Sequence, residues 1–307
     1  MKIGIIGGTG FVGTYLLDKL CAEGHQVRLL IRAGSEHKAP TQEAVELVTG
    51  DVSDEQSIRT CFSGCDAAVY LIGILREDLK AGISFDALQR RGAERAMAVA
   101  QELGVQRFLL MSANGIDAAA TPYQTSKLQA EESLKASGLD WTIFRPSVIF
   151  GDPRGRMEFC SQLKAELIDS PVPAPLFYEG LIPSNAGGFE LGPVHVDDVA
   201  AAFATALKQP QSIGQTYALC GPQAWSWKEI LKTIAAASGK KILMLPAPAM
   251  FIAPVAGLMD RFSWFPVTRD QLIMLLAGNT CSDDGFERLG LAARAFDEDA
   301  LGYLQGD

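Results

Sequence analysis

The sequence predicts an α/β protein, a doubly wound parallel sheet with a small C-terminal lobe. Three observations carry that reading. Short apolar runs without polar alternation recur through residues 1–150, as strands do when both faces of their sheet are covered. Helical patterns long enough for right-handed crossovers lie between them. A glycine-rich turn, Gly7-Gly8-Thr9-Gly10-Phe11-Val12-Gly13, follows the first apolar run directly.

The strands are expected at Lys2–Ile6, Val27–Ile31, Val45–Val48, Ala67–Ile72, Arg107–Met111 and Trp141–Phe144. The helices between them are expected at Val12–Glu23, Ser57–Phe62, Ser84–Leu103 and Pro122–Ser137. Gly24, Gly104 and Gly138 each follow a helix and suit its left-handed closing position. After Gly151 the pattern changes. Prolines 171, 173, 175, 183 and 193 and glycines 180, 187, 188 and 192 indicate loops. A helix at Val199–Lys208, a strand at Gln215–Leu219 and a helix at Ser226–Ser238 follow. Residues 1–150 therefore read as a nucleotide-binding core. Residues 151–307 read as a mixed region that returns elements to the core and forms a smaller substrate or partner lobe.

A strand, a glycine turn and a helix place bare backbone N–H groups at a positive helix end, where a pyrophosphate can sit. Glycine permits the tight turn and keeps side chains away from the phosphates. This is the Rossmann-type arrangement, and it points to dinucleotide binding. A second determinant lies at the end of the second strand. There a carboxylate about 20 residues past the glycines selects NAD, whereas an arginine accommodates the 2′-phosphate of NADP. Leu30-Ile31-Arg32-Ala33-Gly34-Ser35 contains no carboxylate before Glu36. Arg32 can fork onto phosphate, and Ser35 and Lys38 can add donors, which favours NADP(H) over NAD(H). The alternative is that Arg32 is a solvated strand-end charge. Asp51, in Thr49-Gly50-Asp51-Val52, follows the third strand. It either lies beside an adenine or caps the next helix.

Tyr123-Gln124-Thr125-Ser126-Lys127 falls on a helix, and residues four apart share one helix face. A free phenol, with pKa near 10, is a poor acid or base at neutral pH. A neighbouring ammonium and a positive nicotinamide ring would draw that pKa down. Ser112, at the end of the strand Arg107–Met111, is placed to hold a substrate carbonyl. Together the three would form a proton-relay site at the carboxyl edge of the sheet. The plainer reading of Tyr123 and Lys127 is a relic or a surface pair.

Bulk properties narrow the function classes. The chain has 307 residues, a net charge of −9 and an isoelectric point near 5.0, which argues against a general nucleic-acid surface. Met1-Lys2 runs straight into the first strand, so the start of the chain reads as structural rather than as targeting sequence. The six cysteines (Cys21, Cys61, Cys65, Cys160, Cys220 and Cys281) are scattered and have no ligand pattern. Reduced thiols in a cytosolic compartment, without a metal site, are therefore expected. Ile242–Met259 holds eighteen residues without a charge and is broken by Pro246, Pro248 and Pro254. It reads as a buried or interfacial segment lining an apolar cavity, or else as a membrane-surface contact.

Several motifs together resemble the short-chain dehydrogenase/reductase superfamily in its extended and atypical branches. They are the glycine turn, Ser112, Tyr123/Lys127, Phe144-Arg145-Pro146-Ser147-Val148-Ile149-Phe150-Gly151 and Pro193-Val194-His195-Val196-Asp197-Asp198-Val199-Ala200. Pro266-Val267-Thr268-Arg269-Asp270-Gln271-Leu272, Gly278-Asn279 and Leu289-Gly290-Leu291 are similar to the group containing the NAD(P)H-binding accessory subunit of respiratory complex I and its free-standing bacterial relatives. The resemblance implies that Gly7, Thr9, Gly10 and Gly13 shape the pyrophosphate turn, with Phe11 and Val12 donating backbone N–H groups. It places Arg32 and Ser35 at the 2′-phosphate, Asp51-Val52 at the adenine, and Leu71, Ile72 and Gly73 at the ribose. Tyr123 and Lys127 would bond the nicotinamide ribose, Pro146, Ser147 and Val148 would flank the nicotinamide, and His195 would be structural.

Two departures bear on function. Ser112-Ala113-Asn114-Gly115 is leaner than the equivalent segment of sugar-nucleotide enzymes, and the tyrosine that many complex I-type relatives lack is kept. The first expectation is an oxidoreductase that uses NADP(H) on an apolar carbonyl or quinone-like compound. The second is a non-catalytic NAD(P)H-binding assembly or sensing protein of a respiratory or quinone membrane system. The third is a nucleotide-sugar epimerase or dehydratase. The expected location is the cytoplasm, or the inner face of a membrane contacted through the C-terminal lobe.

Overall fold

The computed structural model describes residues 1–39, 42–180, 182–250 and 269–305. The expectations for Ile242–Met259 beyond Met250 and for Pro266–Thr268 lie outside the described residues. The chain divides into two units. The first comprises Met1–Pro146, Val196–Leu219 and Asp283–Ala292, and the second comprises Ser147–His195, Cys220–Ser282 and Ala293–Asp307.

The first unit is built in chain order from β1 (Lys2–Ile6), α1 (Phe11–Ala22), β2 (Gln26–Ile31), β3 (Val45–Thr49), α2 (Glu55–Phe62), β4 (Ala67–Tyr70), α3 (Gly92–Glu102) and β5 (Arg107–Met111). It continues with α4 (Pro122–Ala136), β6 (Asp140–Pro146), α5 (Val196–Lys208) and β7 (Gln215–Leu219). The seven strands form one parallel sheet in the order β7-β6-β5-β4-β1-β2-β3. Apolar strands such as β4, buried at every position, form because helices cover both faces. One face packs Ile58, Phe62, Ala96, Ala100, Phe108 and Leu134 into a common core. On the other, α1 packs against α5, and Phe144 meets Phe203 with ring centroids 4.1 Å apart. Strand order reverses between β1 and β4, which opens a crevice at their carboxyl ends.

The departures from the expected elements have local causes. β4 ends at Tyr70 rather than Ile72, and Leu71–Gly73 turn away to border the crevice. α2 starts at Glu55 because the Asp54 carboxylate accepts from the Gln56 and Ser57 N–H groups. The expected helix Ser84–Leu103 is interrupted by a π-turn over Asp86–Arg91. There the buried Tyr70 hydroxyl donates to the Leu88 carbonyl, diverting it from the regular ladder.

The second unit packs Phe150, Phe177, Trp227, Leu231 and Phe296 around short elements. Ala174–Tyr178 pairs in parallel with Met244–Pro248, and the helix Trp227–Ala237 opens on a capping box of Ser226 and Glu229. The expectation that every thiol is reduced is corrected here, because Cys220 and Cys281 form a disulfide with their Cα atoms 5.9 Å apart. They are separated by 61 residues and are brought together by tertiary folding, which sequence spacing does not show. Cys61, Cys65 and Cys160 are buried thiols, and Cys21 is half-buried. Among the described residues, no helix is long and apolar enough to cross a membrane.

Candidate functional site

The crevice begins at the carboxyl end of β1. Gly7 adopts a left-handed φ of +89°, and the Gly10 N–H donates to the Gly7 carbonyl at 3.1 Å, closing the turn. A Cβ on Gly7 would stand 2.9 Å from the Ile72 nitrogen, so the turn lies directly on the chain leaving β4. A Cβ on Gly13 would stand 2.5 Å from three backbone atoms of Gly8, so the helix also packs directly on the turn. No side chain caps the α1 N-terminus, and no acidic residue lies in its first turn. The N–H groups of Phe11, Val12 and Gly13 thus present a positive helix end to an anion. Thr9 is half-buried within the same turn.

At the end of β2, Arg32 is exposed. Its carbonyl accepts from the Ser35 N–H at 3.0 Å across a turn that holds Gly34 at φ +82°. Asp51 accepts from the Ser53 N–H at 2.8 Å and the Ser53 hydroxyl at 2.6 Å. Those bonds, with Arg32 and Arg95 adding a smaller attraction, hold its carboxyl below the usual range. The cap of α2 is Asp54, not Asp51, so Asp51 is left at the rim beside Arg32. Val52 is buried, and its carbonyl accepts from Arg95 at 3.0 Å.

The other edge of the crevice is built around Lys127, which is only 4% exposed. Its Nζ donates to the Ile72 carbonyl at 3.2 Å and to the Met111 carbonyl at 2.9 Å, tying α4 to the ends of β4 and β5. A Cβ on Gly73 would lie 3.5 Å from that Nζ. Leu71 is buried, with its N–H bonded to the Ile6 carbonyl at 2.9 Å. Burial pulls the Lys127 ammonium down to about 8, and Glu131 opposes the shift. Ser112 is fixed by its N–H, which donates to the Phe144 carbonyl at 2.7 Å, yet its buried Oγ has no hydrogen-bond partner among the described residues. The Tyr123 ring meets Phe85 edge-on, with centroids 5.7 Å apart. Burial pushes its phenol up to about 12 rather than down, and burial is the sole cause.

The Pro146 carbonyl accepts from the Asn114 N–H at 2.9 Å, which fixes the loop after β5. Ser147 and Val148 belong to the second unit, where the Ser147 hydroxyl donates to the Asn279 carbonyl and the Val148 carbonyl accepts from the Val194 N–H. His195 is buried against Phe150, and its Nδ1 lies 3.3 Å from an Arg294 guanidinium nitrogen.

Gln89 escapes the sequence reading. Buried within the π-turn, its amide donates to the Ile74 carbonyl at 2.8 Å and accepts from the Ser126 hydroxyl at 2.9 Å. It thereby joins the chain beyond Gly73 to the helix that carries Tyr123 and Lys127. The legible signal was a polar residue interrupting the apolar stripe of Ala93, Ala96 and Ala100. The pair of buried Glu131 and half-buried Arg145 was also missed. Arg145 reaches Glu131 at 2.7 Å and Asp117 at 2.7 Å, bracing α4 against β6.

These features fit a dinucleotide. The turn is bare where diphosphate would lie, a cation stands at the end of β2, and a buried hydroxyl and ammonium face the crevice edge. Comparison with known proteins agrees. Residues 7–170 match the family described as NAD(P)H-binding. The chain is 24% identical to a ceramide reductase of Caulobacter vibrioides, over 85% of this chain and 78% of that protein. It is 25% identical to the 40 kDa subunit of mitochondrial NADH-ubiquinone oxidoreductase of Neurospora crassa, over 86% of this chain and 67% of that one. In fold it is similar to a UDP-glucose 4-epimerase of Thermotoga maritima, with a TM-score of 0.76, 16% identity and coverage of 99% and 97% of the two chains. The glycine turn, the seven-stranded parallel sheet and the family match together place this chain in the NAD(P)H-binding, extended short-chain dehydrogenase/reductase family.

Proposed function

We propose that this chain is an NADP(H)-dependent reductase of an apolar carbonyl or quinone-like compound. The observation that carries the reading is the unpartnered, buried Ser112 hydroxyl next to the Met111 carbonyl held by Lys127. A buried polar group without a partner is costly in a folded protein and marks a place where a ligand completes the bonding. Gly7, Thr9, Gly10, Phe11, Val12 and Gly13 would hold the diphosphate. Arg32 and Ser35 would hold the 2′-phosphate, Asp51 and Val52 the adenine, and Leu71, Ile72 and Gly73 the ribose. Pro146, Ser147 and Val148 would flank the nicotinamide.

NADP(H), when bound, supplies the hydride that reaches the substrate carbon. The Ser112 hydroxyl donates a hydrogen bond to the carbonyl oxygen and orients it. Tyr123 gives its phenolic proton to that oxygen, completing the alcohol. With two N–H groups on the Ile72 and Met111 carbonyls, Lys127 keeps its third for a ribose hydroxyl. A phenol near 12 is protonated at neutral pH, which suits reduction and leaves little phenolate for the reverse reaction. The test is turnover of NADPH against a panel of lipophilic aldehydes, ketones and quinones. No oxidation with any of them defeats the catalytic reading.

Arg32→Ala is expected to weaken NADPH about 10- to 100-fold and to leave NADH nearly unchanged, since a hydrogen bond to a charged group contributes about 1.5–3 kcal/mol. Thermal shift with each nucleotide measures this. Equal effects on both would show that Arg32 does not read the 2′-phosphate.

Lys127 predicts opposite pH trends for binding and stability. Its charge is lost in the folded chain as pH rises through about 8, so nucleotide affinity falls there. In the unfolded chain the amine keeps its proton up to its ordinary 10.5. Between these values the unfolded chain binds more protons, so this group's contribution to stability rises with pH, by about 3 kcal/mol in all. Calorimetric affinity and melting temperature, each compared with Lys127→Met from pH 7 to 10, check both signs. A variant with the same two profiles as the wild type rejects the assignment.

A second reading has its own support. Relatives include a subunit of NADH-ubiquinone oxidoreductase and the photosystem II assembly factor Ycf39 of Trieres chinensis. Val172, Leu243 and Leu245 are exposed apolar side chains of the second unit, which a partner surface would cover. A non-catalytic nucleotide-binding assembly protein would bind NADPH, give no turnover and be unaffected in binding by Tyr123→Phe.

A further inference from the structure

The helix that carries Tyr123 and Lys127 also carries a buried carboxylate. Glu131 follows Lys127 by one helical turn, on the same face of α4. Lys127 is 4% exposed and Glu131 is fully buried. A carboxylate in that setting is retained only when it is paired. The Arg145 Nε donates to the Glu131 Oε1 at 2.8 Å, and a terminal Arg145 nitrogen donates to its Oε2 at 2.7 Å, a two-pronged contact. Lys135, one turn further along α4 and 41% exposed, donates to the same Oε2 at 3.2 Å. Lys127, Glu131 and Lys135 thus form one row of alternating charge, and Arg145 of β6 clamps its middle member.

The charge on Lys127 decides what it can bind. A neutral amine has two N–H groups, and the Ile72 and Met111 carbonyls would take both. Only the ammonium has a third. Two neutral acceptors in a buried place leave the ammonium disfavoured, and Glu131 is the charge that opposes its loss. Charged groups on the neighbouring elements are engaged elsewhere. Glu94 of α3 meets Arg90 and accepts from the Ser133 hydroxyl, Arg90 also pairs with Asp86, and Asp117 of the loop after β5 pairs with Arg145. The Tyr123 phenol, one turn before Lys127, is neutral below about 12.

We propose that Glu131 is a positioning residue of the site, the counter-charge that keeps Lys127 an ammonium and so keeps its third N–H available at the crevice edge. The use of that N–H rests on the reading of Lys127 as a contact of the nucleotide ribose. Glu131 acts through Lys127 and touches neither nucleotide nor substrate. Arg145 fixes the direction of its carboxylate. Lys135 draws on the same carboxylate from the surface and weakens its pull on Lys127.

The experiment uses the full-length protein, isotopically labelled at its lysine Cε positions. The Lys127 resonance is identified by its loss in Lys127→Met, and its titration is followed by NMR without nucleotide. In the wild type the midpoint should lie at about 8. Glu131→Gln should lower it to about 7, the smaller end of the effect of an adjacent opposite charge. Lys135→Met should raise it, by less, because that charge is partly in water. A merely structural Glu131 predicts the other sign for Glu131→Gln, since a loosened α4 admits water and returns the amine toward its ordinary 10.5. Calorimetry reads the consequence. Near pH 8, NADPH and NADH should each bind Glu131→Gln about fivefold more weakly than the wild type, and near pH 6 about equally, as the ammonium fractions at those midpoints require. An unmoved or raised midpoint in Glu131→Gln overturns the proposal. Where that variant does not fold, an unmoved or lowered midpoint in Lys135→Met overturns it instead. Midpoints that shift with the expected signs while neither nucleotide binds any form of the protein uphold the role of Glu131 and overturn the ribose reading of Lys127 alone.

Discussion

Tyr123→Phe is expected to lower turnover about 10²- to 10⁴-fold, the range for loss of a positioned general acid, while NADPH affinity and melting temperature stay within error of the wild type. The structure supports so clean a separation. The phenylalanine ring keeps the edge-on contact with Phe85 at 5.7 Å. Burial is the sole cause of the raised phenol pKa, so no ion pair is lost with the hydroxyl. Removing a half-buried hydroxyl that no ion pair anchors costs little. Steady-state kinetics on the most active substrate of the panel, with calorimetric NADPH binding in parallel, decides it. Unchanged turnover would remove Tyr123 from the chemistry. A parallel loss of binding would make it a cofactor contact instead.

Gly13→Ala is expected to abolish the NADPH-induced thermal shift and to destabilise the chain by about 1–3 kcal/mol or more, as overpacking against immovable neighbours does. The added methyl would stand 2.5 Å from the Cα, carbonyl carbon and carbonyl oxygen of Gly8. All three are backbone atoms of the turn itself, so relief requires shifting α1 away from the turn, and with it the Phe11, Val12 and Gly13 N–H groups proposed to hold the diphosphate. Gly24→Ala is the control. It carries φ +78° with nothing within 4 Å of an added Cβ, so it meets backbone strain alone, about 1–2 kcal/mol. It should melt earlier and still shift fully with NADPH. If Gly13→Ala also shifts fully, the turn does not grip the diphosphate.

Much of the fold was legible because its determinants are local. β1 and β5 end where apolar runs meet glycine or serine, and Gly24, Gly104 and Gly138 close their helices at φ +78°, +72° and +75°. The crevice was legible in the same way, since a glycine turn between a buried strand and a helix is a property of consecutive residues. Asp54 rather than Asp51 as the cap of α2 was decided by which carboxylate reaches the Gln56 and Ser57 N–H groups. That is a matter of backbone geometry over Asp51–Asp54, which composition does not specify. The π-turn at Asp86–Arg91 was hidden because its cause, the Tyr70 hydroxyl, comes from a strand distant in sequence. The raised phenol of Tyr123 was hidden for the same kind of reason. Its i, i+4 spacing to Lys127 is a helix property, but the burial that raises the phenol is set by how the assembled core closes around it.

The sequence by itself determined the alternation of strands and helices, the bare glycine turn and the cationic end of β2, because hydrophobic period and glycine freedom act over a few neighbouring residues. Only the tertiary structure decided that Val196–Leu219 and Asp283–Ala292 return to the first unit and that Cys220 meets Cys281. It also decided that Gln89 braces the crevice edge and that the Ser112 hydroxyl is left without a partner among the described residues. Each of those depends on groups far apart along the chain, and their meeting is set by how the whole core closes rather than by any segment's own preference.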